Sequence, residues 1–295
     1  MSLRYNVGEV ITAMVTPFDE NLQIDYTALG NLVEHLINSG SDAILVAGTT
    51  GESPTLTHDE ELAMLAFVKE KAAGRVKIVM GAGSNSTLTA VEMSKKVEAA
   101  GADAILTVVP YYNKPSQKGM YAHFAAIAEA VNLPIILYNI PGRTGVNMQP
   151  ETVAKLAKDF PNIVALKQSN SDMDLISDLK SLCPNDFIIY SGDDSLTLPM
   201  MSIGVQGVIS VASHIVGNDI KSMIKSFNMG DIKVASEKHL KLYPLFKKLF
   251  MAPNPVPVKE ALSKIGICKN NVRMPLVTLD EQEKAEFYQV LNKYL

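Results

Sequence analysis

The chain has 295 residues, a hydrophobic fraction of 47% and a formal net charge of −4, which leaves ample apolar material for a core. Its lysines and arginines form no basic cluster, which argues against nucleic-acid binding. No apolar run approaches the roughly 20 residues of a membrane span, and no secretory signal opens the chain. Because Cys183 and Cys268 are far apart, we expect a reduced, cytoplasmic protein without disulfides.

From residue 8 onward, short apolar runs alternate with amphipathic stretches. The run at 9–15 predicts a strand, and apolar residues at helical spacing over 29–37 predict a helix that stops at Gly40. After a strand at 42–48, Thr57 and Glu60 predict a capping box. The helix that follows has Leu62, Leu65 and Ala66 as its expected apolar face. Further strand-like runs lie at 76–81, 104–109, 134–138, 163–166, 187–190 and 205–210.

Three similar segments indicate a repeated unit. "GSDAILV" (40–46) and "GADAILT" (101–107) are nearly identical, and "GVQGVIS" (204–210) is a weaker copy. In each, we expect the first glycine to end a helix in a left-handed turn, with a parallel strand two residues further on. About eight such strand–helix units, with near-continuous apolar strands, predict the α/β class and a closed (β/α)₈ TIM barrel.

The pattern changes after about residue 229. Residues 231–250, 255–266 and 280–295 have helical patterns with no strand between them. We therefore predict a catalytic barrel over residues 1–229 and a C-terminal helical region over 230–295. The proline-rich "APNPVPV" lies inside that region, and Pro257 suits the first turn of a helix.

Active sites of such barrels lie at the C-terminal ends of the strands. Polar residues expected there are Thr49, Thr50, Tyr112, Tyr138, Arg143 and Lys167. The histidines have no metal-ligand spacing, which predicts no metal site. "GAGSNS" (81–86) lacks the third glycine of a dinucleotide loop, and the acids of "SGDD" (191–194) oppose phosphate. A lysine after the apolar run 164–166, with hydroxyls to move protons, indicates Schiff-base chemistry on a carbonyl substrate without a cofactor.

Each of these residues also has a structural explanation. The tyrosines could pack at strand ends, "GTTGES" (48–53) could be only a tight turn, and Arg143 could pair with a surface carboxylate. Their shared position at one end of consecutive strands favours the catalytic interpretation. A second amine, Lys259, is expected outside the barrel mouth and solvated.

Several long motifs resemble one known family. They are "GTTGESPTLTHDE", "PYYNKPSQKGMYAHF", "LYNIPGRTG", "ALKQS", "YSGDD", "GVIS" and "NPVPVK". In order and spacing they resemble the dihydrodipicolinate synthase family of pyruvate-dependent class I aldolases, over nearly the whole chain. The resemblance implies condensation of pyruvate with L-aspartate 4-semialdehyde to 4-hydroxy-tetrahydrodipicolinate, the committed step of the diaminopimelate route to lysine.

The resemblance also implies catalytic roles. Lys167 would attack the C2 carbonyl of pyruvate and form an iminium, which then loses a methyl proton to give an enamine. Tyr138 would be the general acid and base, with Thr49 and Tyr112 completing a proton relay. Because family members place this last tyrosine in a neighbouring subunit's site, we expect a homotetramer built as a dimer of dimers. One departure is Gln168, where relatives often carry glutamate.

Substrate-binding roles follow in the same way. Thr50 would hold the pyruvate carboxylate by its hydroxyl and backbone N–H, at a turn that opens a helix. The backbone near Ile209, with Gly192 of "SGDD", would complete the pocket. Arg143 would bind the carboxylate of the second substrate.

Two other functions were weighed. N-acetylneuraminate lyase or a 2-keto-3-deoxy sugar acid aldolase would share Lys167 and Tyr138, but the double threonine and Arg143 match the synthase pattern. A non-catalytic barrel that only binds keto acids would not require an intact set of Lys167, Tyr138 and Thr49.

The resemblance bears on feedback inhibition as well. Lysine-inhibited relatives bind the amino acid through positions matching 53–61, Asn85, Thr89 and Tyr111. Thr89 stands where they carry an acid, Pro54 replaces a small residue, and Glu61 replaces a histidine. We expect Glu61 to serve the helix dipole, and we expect weak or absent inhibition by L-lysine.

Overall fold

The structure, a computed structural model, describes residues 5–295. Its sheet is a closed barrel whose strands are neighbours in chain order. The strands are β1 Val10–Ala13, β2 Ala43–Val46, β3 Lys77–Gly81, β4 Ala104–Val108, β5 Ile135–Asn139, β6 Ile163–Gln168, β7 Ile188–Ser191 and β8 Gly207–Ser210. This confirms the predicted (β/α)₈ barrel.

Helices alternate with the strands and then continue alone. They are α1 Tyr26–Asn38, α2 His58–Ala72, α3 Thr87–Ala99, α4 Gln117–Ala130, α5 Pro141–Thr144, α6 Pro150–Asp159, α7 Met173–Leu182, α8 Thr197–Met201, α9 Ser213–Asn228, α10 Ile232–Lys248, α11 Val256–Lys264 and α12 Glu281–Leu291. The last three confirm the predicted C-terminal helices. Over residues 5–295, none of these helices is both long and apolar enough to cross a membrane.

The strands are buried at every residue except Lys77, Gly81 and Val108 of β3 and β4, which explains their apolar runs. Every residue of β5 and β6 is buried, including the polar ends. The sequence predicts that this strand ends at Lys167, and β6 continues one residue further, to Gln168. Backbone pairing to β5 and β7 extends the strand past the point where its apolar run stops.

The repeated glycine turn is confirmed. Gly40, Gly101 and Gly204 have φ of +90°, +74° and +90°, a region that residues with a Cβ adopt at a steric cost. In each case two residues separate the glycine from the next strand, β2, β4 or β8. The same turn chemistry thus sets three strand starts.

Helix α2 begins with the predicted capping box between Thr57 and Glu60. Its predicted apolar face is wrong by one residue, because Ala66 is exposed while Met64 and Val68 are buried. A buried stripe at this spacing carries Glu61 inward as well, and that residue is 4% exposed.

The chain divides into two compact units. One comprises residues 5–8 with Val79–Ile209, and the other comprises Glu9–Ile78 with Ser210–Leu295. The predicted boundary between residues 229 and 230 stays a prediction.

Candidate active site

Lys167 and Tyr138 are neighbours on β6 and β5. The two residues are in register across the parallel pair, so their side chains leave the same face of the sheet. The Lys167 Nζ lies 4.4 Å from the centroid of the Tyr138 ring. Both side chains are buried, at 6% and 5% exposure. A buried amine beside a phenol is the arrangement that nucleophilic catalysis by lysine needs.

Gly192 gives Lys167 the room it occupies. A Cβ at this position would lie 3.1 Å from the Lys167 Cε and 1.9 Å from the Ser169 Oγ. Gly192 is the first residue after β7. Its N–H donates a hydrogen bond to the Gln168 carbonyl at the end of β6, at 2.8 Å. The structure therefore gives this predicted substrate-binding residue a steric reason to be glycine.

Two polar residues follow Lys167 directly: Gln168, which the sequence analysis noted as a departure from the family, and Ser169, which it did not single out. Gln168 is fully buried, and its side-chain oxygen accepts a hydrogen bond from Asn139 at 3.1 Å. The Ser169 hydroxyl is buried without a hydrogen-bond partner in residues 5–295. Both belong to the quoted motif "ALKQS", which was the available signal, but only coordinates separate a hydroxyl beside the amine from one at the surface.

Arg143 lies on α5, the short helix that follows β5. Its side chain is exposed and forms no ion pair with any described residue from 5 to 295. Residues 5–295 therefore contain no surface carboxylate that pairs with Arg143. A free guanidinium presents a fork of donors that suits a carboxylate ligand.

Tyr112 has an unusual backbone and an exposed ring. Its φ is +71°, a conformation uncommon for bulky residues. The side chain is 89% exposed, so this chain alone does not pack the phenol against Tyr138. Its predicted place in the proton relay stays a prediction.

Thr49 and Thr50 lie in the other compact unit, in the loop after β2. Thr50 is buried, and its hydroxyl oxygen accepts a hydrogen bond from the Asn254 amide at 2.9 Å. The loop is closed by the Gly51 N–H, which donates to the Gly48 carbonyl at 3.0 Å. Sequence reasoning did not single out Asn254, although "NPVPVK" was among the family motifs.

Ile209 is a buried residue of β8, at 1% exposure. The sequence analysis predicted that the backbone near this residue, and not its side chain, completes the substrate pocket. That role stays a prediction.

The prediction that Lys259 is solvated is wrong, and its predicted position outside the barrel mouth stays a prediction. Its amine is fully buried and contacts the Glu52 carboxylate at 2.5 Å. Burial lowers the pKa of Lys259, and the charge and hydrogen bond of Glu52 oppose that shift. The sequence suggested solvation because a lone lysine in a helical region is normally exposed, and its partner is 207 residues away.

A second buried acid lies in the same unit. Burial raises the pKa of Glu61 to about 7, while a hydrogen bond from the Ser53 hydroxyl acts in the opposite direction. That hydrogen bond measures 2.7 Å. Glu61 is therefore an interior carboxyl, although it lies in the first turn of α2, where the sequence placed it. Its predicted role toward the helix dipole stays a prediction.

Similarity to known proteins gives the family of the chain. The profile of the Dihydrodipicolinate synthetase family matches residues 6–294. The chain belongs to the dihydrodipicolinate synthetase family. It is 51% identical to a 4-hydroxy-tetrahydrodipicolinate synthase 1 of Halalkalibacterium halodurans, over 97% of both chains. A Bacillus velezensis enzyme called 4-hydroxy-tetrahydrodipicolinate synthase is 48% identical, over 98% of this chain and 99% of its own.

A solved member of the dihydrodipicolinate synthetase family has the same fold. The Cyanidioschyzon merolae enzyme, crystallised with lysine bound, is 46% identical and superposes with a TM-score of 0.96, over 98% of this chain and 99% of its own. At this coverage the family's whole fold is present in the chain.

Proposed function

We propose that this protein is a lyase of the class I aldolase type that condenses pyruvate with L-aspartate 4-semialdehyde to give 4-hydroxy-tetrahydrodipicolinate. The observation that carries the proposal is the buried Lys167 amine against the ring of Tyr138. Family membership over nearly the whole chain supplies the reaction class.

The first half of the reaction activates pyruvate. Lys167 Nζ adds to the C2 carbonyl, and loss of water leaves an iminium. The iminium withdraws electrons from the methyl group, so that a base removes one of its protons and leaves an enamine. Tyr138 is the proposed base, with Thr49 and Tyr112 passing the proton on. A phenol pKa near 10 makes such a relay useful at neutral pH.

The second half joins the substrates. The enamine carbon attacks the aldehyde carbon, and the new alkoxide takes a proton. The substrate's own amino group then adds to C2 and displaces the Lys167 amine, which closes the ring and restores the enzyme. One water is released for each product formed. Thr50, Gly192 and the backbone at Ile209 would hold the pyruvate part, and Arg143 would hold the second carboxylate.

Trapping with borohydride tests this proposal. Pyruvate should form the iminium with Lys167, and borohydride should reduce it to a stable secondary amine. Peptide mass mapping would detect this adduct on Lys167. Lys167→Ala should lose the adduct and turnover while keeping the wild-type melting temperature. An unmodified Lys167, or activity above background in the variant, would contradict the Schiff-base mechanism. Assaying aspartate semialdehyde against N-acetylneuraminate and sugar acids then identifies the substrate.

The proposal extends to the assembly of the protein and to its cellular location. We propose a homotetramer, because the exposed Tyr112 ring needs a neighbouring chain to enter an active site. Light scattering at assay concentration measures this directly. A cytoplasmic location is proposed from the sequence composition and from Cys183 and Cys268, which form no disulfide in residues 5–295.

A further inference from the structure

Glu52 combines a strained backbone with a buried charge. It lies two residues after Thr50, and its φ of +58° places it in the left-handed region. Residues with a Cβ rarely adopt this conformation, and those that do cluster at functional sites. Its side chain is 1% exposed. Something must therefore compensate both the backbone strain and the removal of a carboxylate from water.

The compensation comes from the C-terminal region. Lys259 Nζ donates to one carboxylate oxygen of Glu52 at 2.5 Å, and the Arg273 backbone N–H donates to the other at 2.9 Å. The same amine donates to the Asn271 carbonyl at 2.7 Å and lies 4.2 Å from the Phe18 ring centroid. Each oxygen of the buried carboxylate thus has a partner from the last 37 residues of the chain.

Two further contacts link the same loop to the C-terminal region. The Asn254 amide donates to the Thr50 hydroxyl oxygen at 2.9 Å, which leaves the hydroxyl proton free for another acceptor. The Arg273 guanidinium donates to the Thr55 carbonyl at 2.7 Å and to both oxygens of Glu60. The C-terminal region therefore contacts segment 49–60 at Glu52, before it at Thr50, and after it at Thr55 and Glu60.

We propose that the Lys259–Glu52 ion pair positions Thr50 for the carboxylate of the keto-acid substrate. The inference rests on the proposed function, in which Thr50 binds pyruvate. A pair needed only for stability is often replaceable by uncharged side chains of similar size without loss. Here the pair also holds a left-handed residue two positions from the binding threonine. Lys259 is a positioning residue, since it acts through the loop and not on the substrate.

The test separates positioning from stability. We would measure melting temperature, kcat and the KM for each substrate in Lys259→Met, Glu52→Gln and the double variant. Lys259→Met leaves Glu52 buried without its cation and should lower the melting temperature. The double variant removes both charges and should recover most of that loss. Lys269→Met is the matched control, because this exposed lysine pairs with Glu20 at the surface.

The proposal requires that stability and pyruvate binding separate in the double variant. Its KM for pyruvate should stay raised about tenfold or more, while its KM for the semialdehyde changes less than about twofold. A wild-type KM for pyruvate in a stable double variant would overturn the proposal, as would equal rises in both KM values. If the wild-type protein forms no borohydride adduct with pyruvate, the proposed function itself has failed, and this is seen before any variant is measured.

Discussion

At the scale of single residues, the positions of Lys167 and Tyr138 follow from strand register. Residues paired across β5 and β6 carry their side chains to the same face, so the phenol and the amine are neighbours by construction. Neither residue needs a mobile loop to approach the other. Substitutions that keep the ring and remove the hydroxyl should therefore test chemistry without disturbing packing.

Tyr138→Phe should lower kcat roughly 10²–10⁴-fold, the usual contribution of general acid–base catalysis. The ring that packs against Lys167 is kept, so the melting temperature and the borohydride adduct at long incubation should both remain. Steady-state kinetics with a stopped trapping reaction measure the two effects. Turnover near the wild-type value would remove Tyr138 from the proton relay.

Arg143→Ala should raise the KM for the semialdehyde much more than the KM for pyruvate. The guanidinium is exposed and unpaired among residues 5–295, so its loss breaks no internal ion pair and should leave stability within about 0.5 kcal/mol. Initial rates with each substrate varied in turn give the two values. Similar rises for both substrates would mean that Arg143 does not bind the second carboxylate.

The sequence predicted the strand positions of the candidate site residues better than the surroundings of those residues. Lys167 and Tyr138 were found because strand-end position and residue type are both visible in the sequence. Asn254 and the true environment of Lys259 were not found, because their partners lie more than 200 residues away. Steric reasons are equally hidden, since nothing in "SGDD" shows that Gly192 approaches Ser169.

At the scale of elements, local sequence rules predicted where helices and strands begin or end better than they predicted which face of a helix is buried. The glycine turns before β2, β4 and β8 and the capping box of α2 depend on a few adjacent residues, and all were confirmed. The buried face of α2 depends on what packs against it, and the prediction was off by one residue. That small rotation determines that Glu61 is an interior group.

Glu61 should make stability fall with pH. Burial raises the pKa of Glu61 in the folded protein to about 7, above the ordinary value of 4.5. Between these two pH values the unfolded chain has released the proton and the folded chain has kept it. The stabilisation is complete below pH 4.5 and is lost as pH rises through 7. The free energy of unfolding of Glu61→Gln, relative to that of the wild type, should therefore be roughly 2–3 kcal/mol higher at pH 8 than at pH 5.

Urea denaturation of both proteins at the two pH values measures this difference. Glu70→Gln, an exposed change on the same helix, serves as the control and should show no such gain. Parallel pH profiles for wild type and Glu61→Gln would contradict an elevated pKa.

At the scale of the whole molecule, feedback by L-lysine is the property most open to test. Thr89 carries no charge where inhibited relatives carry an acid, and loss of one desolvated charge partner costs about two powers of ten in affinity. Glu61 compensates poorly, because its carboxylate already accepts the Ser53 hydroxyl and is easily protonated. We expect half-inhibition only well above about 1 mM lysine.

A lysine titration at fixed substrate decides the point. Thr89→Glu should strengthen inhibition if the missing charge is the cause, and Thr89→Gln serves as the uncharged control. Half-inhibition of the wild-type enzyme below about 1 mM would contradict the prediction.

The large separation of Glu52 and Lys259 in the sequence also determines when, during translation, the loop after β2 can form this buried pair. At about 5–20 residues per second, a ribosome needs about 10–40 s to add the 207 residues that separate them. Until then the loop after β2 has its acid but neither the cation nor the Arg273 N–H that binds it. The loop after β2 is encoded early and gains its partners late. A nascent chain that stops before residue 259 is therefore translated almost in full and still lacks the contacts that, in our proposal, position Thr50.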